Sequence, residues 1–233
     1  MTIDLTNWNY TAPVDKDGRF MGEAVEVKAA PFPAYLIANP DGSLTFSVPV
    51  IGVTTSGSHY PRSELREMIK GKKAAWHIAD GGKLTATLAI NELPVPDDKS
   101  KHGRVVIGQI HGPSDELCRL YYDNGKLYFH DDKSGQSHHE VQFDLKNAAG
   151  KTSNIALNEK FTYSITVSKG ILSVTALYAG MTYMASESIS SFWPKKALYF
   201  KAGVYCQVGK PGSKAGTIGT GRATATFYEI IRS

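Results

Sequence analysis

The chain has 233 residues, of which 42% are hydrophobic and 21% charged, and its formal net charge is +4. Because all-β sandwiches of about 200–250 residues often remain undivided, we expect residues 1–233 to form a single domain. The small positive charge favours an anionic partner without indicating nucleic acid, and no run of about 18 apolar residues predicts a membrane span.

Short segments of alternating apolar and polar residues, separated by turn residues, follow one another along the chain. Segments rich in β-branched and aromatic residues predict strands at 43–51, 83–91, 104–111, 160–168, 171–177, 197–207 and 222–230. Residues 120–130 predict a hairpin, in which Asn124 and Gly125 supply the turn. Helical patterns are few, such as that of residues 187–193. Because strands and helices do not alternate, the sequence predicts an all-β sandwich of two antiparallel sheets.

Polar loops connect several of these segments. The loops at 54–61, 131–139 and 147–154 either flank a binding groove at the rim of the sandwich or are ordinary surface connections. Cys118 and Cys206 lack the spacing of zinc or redox motifs. They leave two alternatives open, namely one disulfide or two buried free thiols.

The stretch PRSELREMI carries four charged side chains in a segment that otherwise resembles a strand. Because successive side chains of a strand point to opposite faces, Arg62, Glu64 and Arg66 share one face, and Leu65 and Glu67 lie on the other. The charged face is either a solvated ladder of salt bridges, which contributes little stability, or a cationic surface that holds something acidic.

Two further predicted strands carry polar groups on one face. In the first, Gln109 and His111 share a face, and Val106, Gly108 and Ile110 lie on the opposite one. In the second, one face is polar: Tyr199, Lys201, Gly203, Tyr205 and Gln207. A glycine within this face leaves space for a ligand to approach. A groove that combines these side chains with the arginines of PRSELREMI would suit a carboxylated sugar chain.

The motifs of these three strands resemble a known family. RSELR (62–66), QIH (109–111) and YFKAGVY (199–205) are similar to the three signature motifs of the polysaccharide lyase family 7 alginate lyases, in the same order. DLTNWNYTAPVD (4–15) also resembles the usual opening of the family. The resemblance covers nearly the whole chain, and it implies a β-jelly roll whose concave sheet forms the substrate cleft.

The resemblance also implies roles for individual residues. Arg62 and Gln109 match groups that neutralise the uronate carboxylate at the cleavage site, and His111 and Tyr205 match the proton-transfer pair. Four more side chains match positions that shape the cleft or bind sugar carboxylates: Glu64, Arg66, Lys201 and Tyr199. Ile110 stands where relatives often have valine, and isoleucine there accompanies activity on guluronate-containing blocks.

The implied reaction is β-elimination in alginate, in which a base removes H5 and the O4 leaving group departs. Arginine and glutamine offset the charge that develops on the carboxylate, so we expect no metal and no cofactor. His138 and His139 are adjacent and point opposite ways in an extended chain, which does not suit a shared metal. An open cleft with flexible rims suggests endo cleavage.

Several properties follow only as expectations. Alginate is an external polymer, so we expect a secreted monomer, although the opening MTIDLTNWNY lacks a signal-peptide pattern and also fits a cytosolic protein or a mature form. A glycoside hydrolase would need two facing carboxylates, and Glu64 and Glu67 lie on opposite faces. Two alternatives stay open: a lyase acting on another polyuronate such as glucuronan, and a non-catalytic carbohydrate-binding module.

Overall fold

The computed structural model describes residues 2–134 and 140–233. Within these ranges all regular structure is β, and no helix is present that could cross a membrane. Two large sheets, which we call sheet A and sheet B, pack face to face around the hydrophobic core.

Sheet A has nine strands: β1 (Trp8–Thr11), β2 (Glu26–Lys28), β5 (Arg62–Ile69), β6 (Lys72–Lys73), β9 (Arg104–His111), β10 (Glu116–Asp123), β11 (Lys126–Asp131), β12 (Val141–Asp144) and β16 (Tyr199–Cys206). Sheet B has seven: β3 (Leu36–Ala38), β4 (Leu44–Pro49), β7 (Gly82–Glu92), β13 (Phe161–Ser168), β14 (Ile171–Tyr178), β15 (Met181–Ser188) and β18 (Arg222–Arg232). A small third sheet pairs β8 (Val95–Pro96) with β17 (Gly219–Thr220).

The order of strands brings distant parts of the chain together. Sheet A runs β12-β11-β10-β9-β16-β5-β1-β2, with β6 attached to β5, and sheet B runs β15-β14-β13-β7-β18-β4-β3. The pairings within both sheets are antiparallel, which confirms the predicted sandwich. Strand β16 lies between β9 and β5, so the three strands that carry the polar motifs are neighbours at the centre of sheet A.

The inner faces of the two sheets are filled by apolar side chains. Phe46 of sheet B and Phe227 beside it meet edge to face, with ring centroids 4.9 Å apart, and Leu65 and Phe200 of sheet A are fully buried. Burying each such side chain contributes about 1.5–3 kcal/mol. The alternation that places Leu65 inward also turns its neighbours on β5 outward, toward the open face of sheet A.

One charged side chain of PRSELREMI lies inside the sandwich, as its position in the alternation predicts. The carboxylate of Glu67 accepts hydrogen bonds from Trp76 Nε1 (2.9 Å), the backbone N of Phe200 (2.8 Å) and Arg232 Nε (2.7 Å). A buried charge is tolerated when it is paired and hydrogen-bonded. Glu67 therefore ties β5 to β16 and to the last strand of the chain.

The helical pattern of residues 187–193 is a wrong prediction. Strand β15 extends to Ser188, where it pairs with β14, and turns follow it. Trp193 is fully buried and donates from Nε1 to Asp131 Oδ1 at 3.1 Å. Strand pairing and this buried contact override the local pattern. Cys118 and Cys206 are free and buried, which decides between the two alternatives for the cysteines, and burial raises the pKa of the Cys206 thiol to about 12.

A β-bulge changes which side chains of β9 face outward. Between the pairs Ala202–Gly108 and Tyr205–Val106, β16 carries two residues where β9 carries one. Val106 consequently packs beside Tyr205, on the outer side of the sheet. The prediction that Val106 lies on the face opposite Gln109 is therefore wrong. The bulge interrupts the regular alternation of side chains between the two faces of the strand.

Gly203 lies in the same bulge and does not leave room for a ligand, contrary to the sequence-based expectation. Its φ is +142°, and a Cβ added there would lie 2.6 Å from Ser63 O and 2.8 Å from Glu64 Cα. The missing side chain lets β16 approach the backbone of β5. Glycine is required here by close strand packing.

We expect Gly203→Ala to lower the free energy of unfolding by about 3 kcal/mol, because the new methyl group overlaps the β5 backbone. Gly180→Ala is the matched control, since Gly180 also has a positive φ (+74°) but nothing lies within 4 Å of its Cβ position. The control should lose only about 1 kcal/mol from backbone conformation. Urea unfolding of both variants measures the difference, and equal losses would contradict the packing explanation.

Candidate active site

The eight residues that the motifs single out gather on the open face of sheet A. Cross-strand register assembles most of them in pairs: Tyr205 with Arg62, Lys201 with Arg66, Lys201 with Gln109, and Tyr199 with His111. Six of the eight line one cavity of about 300 Å³: Arg62, Arg66, His111, Tyr199, Lys201 and Tyr205. The other two, Glu64 and Gln109, are fully buried beneath that surface.

The predicted rim loops differ in the parts of the molecule that they contact. Residues 54–61 line the cavity through Thr55, Gly57 and Ser58, whereas the loop at 147–154 packs under the β10–β11 hairpin through Ser153. Residues 135–139, which include both histidines of the predicted 131–139 loop, lie outside the described ranges. A larger cavity of about 820 Å³ lies beside the same 54–61 segment, but His111 and Tyr205 do not line it.

Glu64 is the centre of a buried polar network. Its Oε2 accepts from Arg62 Nη1 at 3.0 Å and from Lys201 Nζ at 2.5 Å, and its Oε1 accepts from Gln109 Nε2 at 2.5 Å. Burial by itself would raise the pKa of Glu64, but the charges of Lys201 and Arg62 outweigh it and hold that pKa below the usual range. Arg62 is only 6% exposed and Glu64 is 0% exposed, so the two residues do not belong to a solvated ladder of salt bridges. Removing one partner would leave buried charge unpaired, which costs about 3–5 kcal/mol.

Arg62 is held against the aromatic ring of Tyr205. Its guanidinium carbon lies 3.9 Å from the ring centroid, and its Nη2 donates to Ser58 Oγ at 2.5 Å. Ser58 and Tyr205 line the same cavity. Burial raises the pKa of Tyr205, and the charge of Arg62 opposes this only in part, so the phenol keeps its proton at neutral pH. Within the described ranges Arg62 Nε has no acceptor, which leaves a buried donor beside the cavity.

A second stack holds His111. Arg66 lies over the ring of Tyr199 at 3.9 Å, and Tyr199 stacks on His111 with centroids 5.2 Å apart and planes 14° from parallel. The Nδ1–H of His111 donates to the carbonyl oxygen of Gly112 at 2.6 Å. One face of the imidazole and one of its ring nitrogens thus have defined neighbours, which orient the ring.

Arg62 and Gln109, the two groups predicted to neutralise the uronate carboxylate, lie in different environments. Arg62 lines the cavity, whereas Gln109 is fully buried and its amide nitrogen is engaged by Glu64. Its Oε1 has no partner within the described ranges. Through this contact Gln109 also supports the network that holds Arg62 and Lys201.

Comparison with known proteins agrees with the fold. The alginate lyase family profile matches residues 3–232. An alginate lyase of Klebsiella pneumoniae is 30% identical over an alignment 281 positions long, which covers 98% of this chain and 88% of that protein. The chain belongs to the alginate lyase family. The motif-based resemblance to polysaccharide lyase family 7 is thus confirmed, and the protein is a polysaccharide lyase.

Solved alginate lyases share the jelly-roll fold. The crystal structure of the Klebsiella pneumoniae enzyme has a TM-score of 0.82 at 25% identity, covering 100% of this chain and 96% of that one. An alginate lyase from Pseudomonas aeruginosa has a TM-score of 0.77 at 28% identity, with 99% of both chains covered. The family 7 alginate lyase A1-II′ has a TM-score of 0.74 at 25% identity, covering 99% and 96%, and that enzyme has also been solved with the product GGG.

Sequence reasoning missed two residues of this alginate lyase site. Ser58, from the 54–61 loop, accepts from Arg62 and lines the cavity that Tyr205 also lines. Glu116, at the start of β10, has its Oε1 3.2 Å from His111 Nε2. The small polar residues of the 54–61 loop could have indicated Ser58. Glu116 belongs to no charged motif, and only the pairing of β9 with β10 brings it to the histidine.

Proposed function

We propose that this alginate lyase cleaves the 1→4 bond by β-elimination, acts within the chain, and accepts guluronate-containing blocks. The observation that carries this proposal is a single cavity lined by a buried arginine, a histidine and a protonated tyrosine. Arg62 faces the developing charge on the uronate carboxylate, His111 takes the H5 proton, and Tyr205 donates a proton to O4. Arg66 and Lys201 supply further positive charge along the cavity, and Glu64 keeps Arg62 and Lys201 in place.

Electrostatics and the geometry of the sugar ring explain why Arg62, His111 and Tyr205 have separate roles in the proposed reaction. Removing H5 beside a carboxylate builds up negative charge that a buried arginine stabilises strongly, because the cavity excludes much of the water that would screen it. In guluronate H5 and O4 lie on opposite sides of the sugar ring, so two separate groups are needed. A base and an acid on neighbouring strands supply them. In mannuronate the two lie on the same side, and Tyr205 could serve both steps.

Support for internal cleavage comes from the position of the site in sheet A. Strands β10 to β12 continue the sheet on one side of the catalytic strands, and β1 and β2 continue it on the other. A sugar chain can therefore extend past the cavity in both directions. Support for block preference is limited to Ile110, which is fully buried in the core and acts only through packing.

The decisive experiment incubates the protein with polyguluronate, polymannuronate and glucuronan and follows ultraviolet absorbance from the new C4=C5 bond. We expect absorbance to rise fastest with polyguluronate, and early products of mixed size show internal cleavage. A faster rise with glucuronan would favour the other polyuronate, and terminal products alone would contradict endo action. Binding without any absorbance change would indicate a non-catalytic carbohydrate-binding module.

We also propose that the protein is a secreted monomer. An extracellular polymer as substrate supports secretion. Light scattering after size-exclusion chromatography measures the oligomeric state, and fractionation of the producing culture measures the location. A dimer mass, or activity confined to the cells, would contradict the respective proposal.

Substrate binding should weaken as pH rises through about 8. Burial, followed by the charge of Arg62, lowers the pKa of Lys201 to about 8, so its ammonium group is charged below that pH and neutral above it. We expect kcat/KM to fall between pH 7.5 and 9. In Lys201→Met, kcat/KM should be about tenfold lower at pH 7, because a charged hydrogen bond is lost, and should no longer change across this range. The same alkaline fall in both proteins would contradict the assignment.

A further inference from the structure

Tyr60, in the loop that leads into β5, packs against the ring of Tyr205. The two ring centroids lie 6.3 Å apart and the ring planes meet at 69°, which is the edge-to-face arrangement that aromatic pairs prefer. Tyr60 is partly buried against the cluster formed by Val106, Tyr121, Tyr128 and Tyr205. It is not among the described residues that line the cavity of about 300 Å³ beside Tyr205. Tyr60 therefore contacts the proposed acid without lining the cavity itself.

The position of Tyr60 is fixed at both ends of the residue. At the tip of the side chain, the backbone N–H of Thr217 donates to the Tyr60 hydroxyl oxygen at 3.1 Å. At the main chain, the carbonyl oxygen of Pro61 accepts from the backbone N of Cys206 at 3.1 Å. Pro61 follows Tyr60 and Cys206 follows Tyr205, so the backbones that carry the two tyrosines are joined directly beside the rings.

Tyr205 needs such a contact because of its place on β16. The bulge in the pairing of β16 with β9 comes directly before Tyr205, and bulges re-aim the side chains beside them. The guanidinium of Arg62 lies 3.9 Å from the ring centroid of Tyr205. Because Arg62 is also proposed to pair with the sugar carboxylate, its contact with the ring is shared with the substrate. The contact from Tyr60 is not.

We propose that Tyr60 is a positioning residue, which holds the ring of Tyr205 at the angle from which its hydroxyl reaches O4 of the sugar. This inference rests on the proposed function of Tyr205 as the acid. In the step that it supports, the C4–O4 bond breaks, the O–H bond of Tyr205 breaks, and the proton passes to O4. The ring of Tyr60 orients Tyr205, and the hydrogen bond from Thr217 keeps the ring of Tyr60 in place.

The test compares Tyr60→Leu, which removes the ring, with Tyr60→Phe, which keeps the ring and removes the hydroxyl. In Tyr60→Leu we expect kcat on polyguluronate to fall about 30-fold with KM little changed, because a small misplacement of a catalytic group can cost up to about 10²-fold. Tyr60→Phe should restore kcat to within about fivefold of the wild type, since only one neutral hydrogen bond is lost. A higher KM without a lower kcat, or equal losses of kcat in both variants, would overturn the proposal.

Combination with Tyr205→Phe separates positioning from a general structural effect. If Tyr60 acts through the hydroxyl of Tyr205, the double variant should have the same residual kcat as Tyr205→Phe alone, because residues that act as a unit are not additive. A further loss of about 30-fold in the double variant would show an independent effect and refute the inference.

The same set of variants distinguishes two failures. Full activity of Tyr205→Phe would refute the proposed acid, and the role of Tyr60 with it. An inactive Tyr205→Phe beside a fully active Tyr60→Leu would refute the role of Tyr60 alone.

The matched control is Tyr35→Leu. Tyr35 is also partly buried and meets Phe20 edge to face, with ring centroids 6.4 Å apart and planes at 70°. It is not among the described residues that line the cavity beside Tyr205. Its kcat should equal that of the wild type, and thermal unfolding checks that both leucine variants are folded. A loss of kcat as large as that of Tyr60→Leu would show that any missing aromatic contact slows the enzyme, contrary to the proposal.

Discussion

Arg62→Lys should lower kcat/KM by about 100-fold, since removal of one preorganised donor to a developing oxyanion costs this much or more. The guanidinium contacts Glu64, Ser58 and the face of Tyr205 at once. A lysine keeps the charge but cannot make these contacts while also pairing two hydrogens with a sugar carboxylate. Initial rates of absorbance increase on alginate measure the effect.

The matched control for this change is Arg222→Lys, an exposed arginine on sheet B. It should have wild-type rates. Thermal unfolding of both variants checks that the fold is kept. If Arg62→Lys unfolds normally and retains more than a third of the activity, the charge of Arg62 matters and its planar geometry does not, contrary to the proposal.

Tyr205→Phe should reduce kcat by about 1,000-fold while the fold is kept, because general acid catalysis contributes about 10²–10⁴-fold. The phenylalanine ring still fills the space beside Val106 and under Arg62, and only the hydroxyl is lost. The effect therefore isolates the proposed donation of a proton from the hydroxyl to O4. Steady-state rates at saturating alginate measure it.

Tyr121→Phe is the matched control for the tyrosine. Tyr121 lies in the same cluster as Tyr205 and is as deeply buried, but it does not line the cavity. Its loss of a hydroxyl should leave kcat within about threefold of the wild type. Full activity of Tyr205→Phe would show that another group protonates O4.

Local patterns predicted much of the site correctly. The alternation along β5 assigned Arg62, Glu64 and Arg66 to one face and Glu67 to the other, and the structure agrees for each. Strand faces follow from backbone geometry within a single segment, so no other part of the chain is needed to predict them. The same reasoning was wrong at Val106, because a bulge depends on register with the neighbouring strand.

What the sequence by itself determined is most of the longer strands, the side chains that share a face within most of them, and the family to which the motifs belong. Tertiary structure alone decided that β16 lies between β5 and β9, that the charged face is buried, and that Glu116 meets His111. The physical reason is that burial and pairing are properties of contacts between segments far apart in the chain. A carboxylate at the start of one strand acquires its partner only when the adjacent strand is in place.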